Sequence, residues 1–153
     1  MSDLGAQLAA QAIEWDRLRV PYVHRGTRRT GCDCTGLLIG CLRELGYLRN
    51  YKLRWYPRDW NVHAMGKSDD FLRQELERVA NPVKRDPMPG DVVLFRFGHC
   101  NAHCGIAISH VAFVHSHASA KRVTRGLFRT PKWFSRTAGI WEMDPDKMRS
   151  VNG

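Results

Sequence analysis

The run PGDVVLFRFGHCNAHCGIAISHVAFVHSH, residues 89–117, decides the fold. Before it, apolar residues recur every three or four positions. From Asp91 onward they alternate with polar ones or form short β-branched and aromatic blocks, which is the period of strands. Asp91 to Phe97, His103 to Ile108 and Val111 to His117 read as three successive strands, and Val123 to Phe128 and Ala138 to Met143 continue the pattern. Upstream, residues 3–18 suit a helix with Leu4, Leu8, Ala12 and Trp15 on one side, closed by Pro21, after which Val20 to His24 is extended. Helices first and antiparallel strands second define an α+β domain, with N-terminal helices packed on one face of a C-terminal antiparallel β-sheet.

The second helix carries the chemistry. Arg25 to Thr30 is a basic, glycine-containing loop leading to Gly31-Cys32-Asp33-Cys34-Thr35-Gly36-Leu37. Asp33 is a good N-cap, Leu37, Leu38, Cys41, Leu42 and Leu45 follow helical spacing, and Gly46 stands where a left-handed C-terminal residue is expected. Cys34 is then the first helical residue, beside unpaired N–H groups and the positive end of the helix dipole, which favours thiolate over thiol.

Between these parts, residues 47–66 are rich in Tyr, Trp, Arg and Asn and read as a long irregular surface segment. Ser68 is placed to cap a short helix with Asp69 and Asp70 in its first turn and Phe71, Leu72, Leu76 and Val79 inward, ended by Asn81-Pro82. Residues 144–153 read as a frayed tail. The 153 residues form one domain, with a core over about residues 6–143, large enough to bury roughly 70% of the surface the unfolded chain exposes.

Lys and Arg number 24 against 15 Asp and Glu, a net charge of +9, which suits an anionic partner: nucleic acid, membrane surface or anionic polysaccharide. The five cysteines, Cys32, Cys34, Cys41, Cys100 and Cys104, are not spaced as a secreted disulfide scaffold. No apolar run is long enough for a signal peptide or a membrane span, so synthesis in the cytoplasm is expected.

A cysteine nucleophile needs a base and a group that orients the base. A three-residue loop at Ile108 to His110 sets His103 opposite His115 across a hairpin, whereas a loop at Ser109 to Val111 sets His103 opposite His117. Both registers remain open on residue pattern alone. Val111 and Phe113 share the face of His115, so a buried core histidine is the plain alternative to a working one.

Four blocks in this order, Gly31-Cys32-Asp33-Cys34-Thr35-Gly36-Leu37, Pro89-Gly90-Asp91-Val92-Val93-Leu94-Phe95, His103-Cys104-Gly105-Ile106 and Phe113-Val114-His115, resemble the motif series of the NlpC-type cell-wall peptidases, which are papain-like. Length, the Cys-Asp-Cys block and Tyr56-Pro57-Arg58-Asp59-Trp60 are most similar to short phage tail-associated members. The resemblance spans about residues 6–143. It implies a papain-like fold, with Cys34 as nucleophile, His103 as general base, His115 as the orienting group and His117 as its alternate. Tyr22 would help the oxyanion hole, and Asp33 and Thr35 would flank the substrate, Thr35 standing where the family more often has serine. The implied reaction is hydrolysis of amide bonds in peptidoglycan stem peptides, typically next to D-glutamate, without a cofactor. The implied setting is a phage tail, with other tail proteins as partners, acting at the bacterial wall.

Other readings use the same residues. Cys32, Cys34, Cys100, His103 and Cys104 could form a zinc site, but their spacing fits no common knuckle and closing the site would consume the nucleophile. The basic stretches Arg25 to Arg29, Arg49 to Arg58 and Lys121 to Arg136 interleave with Tyr51, Trp55, Tyr56, Phe128, Trp133 and Phe134. They could be a solvated surface or could stack on wall sugars. Nucleic acid ranks last, because no nucleic-acid motif accompanies the charge. A tail component that no longer cuts, a murein-binding module and a thioester acyltransferase complete the alternatives.

Overall fold

The computed structural model describes residues 3–53, 71–97 and 100–151. Helix α1 (Asp3–Arg17) is followed by a two-stranded hairpin of β1 (Thr27–Arg28) and β2 (Gly31–Cys32), and then by α2 (Cys34–Glu44). Helix α3 (Phe71–Glu77) leads into β3 (Ala80–Val83). The strands β4 (Val92–Phe97), β5 (Cys100–Ala107), β6 (Ala112–His117) and β7 (Arg122–Leu127) come next. A single-turn helix α4 (Pro131–Phe134), strand β8 (Thr137–Met143) and helix α5 (Pro145–Val151) close the chain. Six strands form an antiparallel sheet in the order β3-β8-β4-β5-β6-β7. The α+β reading and its five strands stand, each within a few residues of the expected bounds.

Helix periodicity explains the main core. Leu4, Leu8, Ala12 and Trp15 of α1 and Leu37, Leu38, Cys41 and Leu42 of α2 pack with Val92, Leu94, Cys104, Ile106 and Val114 from one face of the sheet. Helix α2 ends as its glycine predicts. Gly46 has φ +93°, its N–H donates to Arg43 O at 3.0 Å, and Tyr47 N–H donates to Leu42 O at 2.8 Å, the paired bonds of a Schellman motif.

The other face of the sheet is covered too, which the sequence reading missed. Val93, Phe95, Ala107 and Phe113 form a second core with Phe128 and Trp133, the latter brought in by α4. That helix is only four residues long, too short for periodicity to reveal.

Three further expectations are corrected. Asn81-Pro82 does not merely end a helix: both residues lie in β3 at the edge of the sheet, where a residue without an N–H is tolerated. The loop before Cys32 contains the β1–β2 hairpin. The C-terminal tail is helix α5, because the Asp144 carboxylate accepts from the Asp146 N–H at 2.9 Å and Met148 is only 1% exposed. Leu48 and Tyr51, read as surface, are also buried, and Ser68, Asp69 and Asp70 lie outside the described residues.

Because Met148 seals the core, Met148→Ala should cost about 2–4 kcal/mol. Urea denaturation measures this, and a frayed tail would give no change.

Candidate active site

Asp33 positions the site. It is extended (φ −96°, ψ −170°), and its Oδ1 accepts the Gly36 N–H at 2.8 Å while Oδ2 accepts the Arg25 N–H at 2.9 Å. One carboxylate therefore caps α2 and ties it to the preceding loop. It is 4% exposed. The loop presses so close that a Cβ at Gly36 would stand 1.6 Å from Gly26 O; only glycine fits. Ser116 Oγ donates to Cys32 O at 2.6 Å and fastens the loop to β6. Cys34 follows as the first residue of α2, half-buried, its Sγ 3.8 Å from Thr35 Oγ1.

Strands β5 and β6 pair only at Ile106–Val114 and Ala107–Phe113, and the start of α2 packs against both strands. The observed pairing decides between the two registers. Ile108 N–H donates to Ala112 O, and the same register extended places His117, not His115, level with His103. Yet the hydrogen bond runs diagonally, from His103 Nε2 to His115 Nδ1 at 2.7 Å. Imidazoles are long enough to bridge a diagonal pair. His117 stacks on His115 with ring centres 5.0 Å apart and lies 5.5 Å from His103.

Trp133 holds this cluster, stacked on His103 at 5.6 Å and edge-on to His115 at 5.0 Å. It is 7% exposed, so Trp133, Phe128 and Tyr51 are not the surface stacking platform that their basic neighbours suggested. Trp55 and Tyr56 lie outside the described residues. Tyr22 is bridged to Cys32 of the cysteine loop, and its N–H donates to Lys121 O at 3.0 Å in the β6–β7 connection.

Electrostatics separate the cysteines. Burial pushes the Cys32 thiol up to about 12 and the Cys41 thiol well above the ordinary value. Cys34 goes the other way. A hydrogen bond from the Cys104 thiol, opposed by burial and reinforced by a bond to His103 and its charge, holds Cys34 well below the ordinary thiol range. Cys104 is raised by the same contact, as the proton-holding partner, and its Sγ is also 3.4 Å from Cys34 O. The sequence reading missed this role; the only signal was Cys104 next to His103, the two pointing to opposite faces of β5. Burial, with the charges of His103, His117 and Lys132, lowers His115 to about 2, and burial, with His103 and Lys132, lowers His117 to about 4.

His115 is therefore neutral and can accept a proton-bearing bond from His103 Nε2, leaving His103 Nδ1 for Cys34. Ligand nitrogens of His103, His115 and His117 lie within 4.8 Å of one another, a set that could hold a metal ion. The 2.7 Å spacing of the first two is that of a shared proton and is shorter than the about 3.3 Å between two nitrogens on tetrahedral zinc. The arrangement suits nucleophilic attack on a carbonyl followed by proton return to a leaving group.

Comparisons with known proteins give the family and the fold. The profile of the NlpC/P60 family matches residues 19–142, and the chain belongs to that family. It is 28% identical over 134 residues to "Murein DD-endopeptidase MepS/Murein LD-carboxypeptidase" of Escherichia coli (strain K12), covering 88% of this chain and 60% of the relative. The chain thus spans about 60% of the length of the curated relatives it matches. Its fold resembles that of an NLP/P60 family protein, described as similar to lipoprotein, from Staphylococcus aureus subsp. aureus Mu50 (TM-score 0.62, 16% identity, 94% of this chain and 42% of that one). It also resembles the NlpC/p60 domain of the peptidoglycan hydrolase SagA (TM-score 0.58, 18% identity, 91% and 98%).

Two measurements test the electrostatics. Thiolate absorbance should titrate in a step well below the ordinary thiol range. Cys104→Val should move that step upward, and Cys32→Ala and Cys41→Ala should leave it in place. For His115, the folded value lies below the unfolded one of about 6.5. Between about 2 and 6.5 the unfolded chain binds a proton that the folded chain does not, so stability is complete above that window and falls as pH falls through it. The slope is at most about 1.4 kcal/mol per pH unit. Urea denaturation across that range should show a shallower slope in His115→Gln.

Proposed function

We propose that the chain is a cysteine peptidase that hydrolyses amide bonds in peptidoglycan stem peptides. The observation that carries this reading is the Cys34–His103–His115 line: a lowered thiol at a helix start, bonded to a histidine whose other nitrogen is held by a neutral, buried histidine. Cys34 attacks the carbonyl and His103 gives its proton to the leaving amine. The thioester that results is hydrolysed by water that His103 activates. The Cys34 N–H at the start of α2 serves the oxyanion, with Tyr22 as second donor. His115 orients His103 and stays uncharged while His103 carries the proton.

Murein as the substrate is supported by family membership and by the printed activity of the E. coli relative. The bond next to D-glutamate is the preferred target, on the motif resemblance. The same resemblance supports a tail-borne or prophage-encoded hydrolase that acts at the wall with tail proteins as partners; detection of the chain in purified virions tests that setting.

Purified murein and synthetic stem peptides, analysed by mass spectrometry, test the reaction. Products ending at D-glutamate are expected, and products of D,D or L,D cleavage would reassign the bond. Capture of the acyl group by an added amine in preference to water would make the protein a transferase. Cys34→Ala and His103→Ala should each lose at least about 10³-fold in rate with the fold intact. Full activity in Cys34→Ala, or binding without products by the native chain, would end the peptidase reading. His115→Ala should lower kcat more than KM, with partial rescue in His115→Asn, whereas His117→Ala should cost less than either.

A further inference from the structure

The mechanism uses one thiol, yet two sit together. Cys104 lies on β5 beside His103 but points to the opposite face, into the main core, where Cys34 packs against the same cluster. Its Sγ is 3.4 Å from the Cys34 carbonyl oxygen, although 70 positions separate the two in the chain. Cys104 is 3% exposed, whereas Cys34 is partly open to solvent. A small oxidant therefore meets Cys34 first, with a second thiol buried against the same residue.

We propose that Cys104 is a resolving thiol for Cys34, so that peroxide converts the pair into a reversible Cys34–Cys104 disulfide. The Cys34 thiolate attacks one oxygen of hydrogen peroxide, the O–O bond breaks, and hydroxide leaves, giving a sulfenic acid. The Cys104 sulfur then displaces the hydroxyl from that sulfur. The hydroxyl departs as water with the Cys104 proton, and an S–S bond forms. Two thiols lose two electrons in total and one peroxide becomes two waters. A dithiol reverses the step by exchange through a mixed disulfide. Cys32 and Cys41 are poorer partners: Cys41 lies seven residues, about two turns, further along α2, and Cys32, two residues before Cys34, sits in β2 beyond the N-cap. The disulfide would join the first residue of α2 to the middle of β5, locking the nucleophile against the sheet and away from a substrate carbonyl. Its closeness to Cys34 lets the second thiol intercept the sulfenic acid before further oxygen is added.

The readout is chemical and independent of any peptidase activity. The full chain is treated with a small excess of hydrogen peroxide, alkylated without reduction, and digested. The native protein should lose about 2 Da, yield a cross-linked pair of peptides containing Cys34 and Cys104, and return to two free thiols with dithiothreitol. In Cys104→Val, Cys34 should instead gain about 32 or 48 Da, which dithiothreitol does not remove. Cys104→Ser gives the same reading should the valine variant fold poorly. The proposal is overturned if native Cys34 gains the same oxygens as the variants, or if it links to any cysteine other than Cys104. A disulfide formed in a chain that cuts no murein would leave this inference standing and count only against the peptidase reading.

Discussion

The carboxylate of Asp33 is the constraint on which the site rests. By accepting one N–H from the helix it caps and another from the loop before it, it makes a covalently flexible segment into a fixed corner. An N-cap of this kind contributes about 1 kcal/mol to a helix, but its larger effect here is positional. It leaves Cys34 with no freedom except its own side chain, at the point where the helix field and two neighbouring side chains act on the sulfur. The bare face of Gly36 and the bond from Ser116 to Cys32 hold that corner against the sheet. A site that must place a sulfur within fractions of an ångström needs such a support, because hydrogen bonds to the reacting groups alone would not keep it.

The two faces of the sheet divide the work. One packs the helices and presents the thiols; the other buries His103 and His115 among Phe95, Phe113 and Trp133, with His117 half-buried beside them. An aromatic box of this kind disfavours charge, so when His103 carries a proton its neighbours remain neutral. The neutral state of His115 is imposed by burial before any partner charge is considered, the order in which its pKa is lowered.

Much of this was legible in the sequence, and the failures have physical causes. The helix around Leu37 and Leu42 and the strands around Val92 and Val114 show their period because each buries one broad face. Asp33 and Gly46 announce the ends of α2 because capping chemistry is local. Residue type and motif order singled out Cys34, His103 and His115, which the fold brings together. The register between β5 and β6 was not legible, since a one-residue shift of the loop changes both strands and the decision lies in packing beyond the hairpin. Helix α4 and helix α5 are too short to show a period, and the contact between Cys34 and Cys104 exists only in three dimensions. Proline at position 82 read as a breaker because a sequence does not say which strand is at the edge.

That edge has a consequence for how a peptide can approach. The outermost strand β3 carries Pro82, which offers no N–H, and the opposite edge, β7, is partly covered by the segment at Pro21, whose neighbour Tyr22 donates to Lys121 and where Val123 donates to Val20. Neither border is a ready template for an added strand, so neither another copy of the chain nor an extended peptide can lengthen the sheet easily.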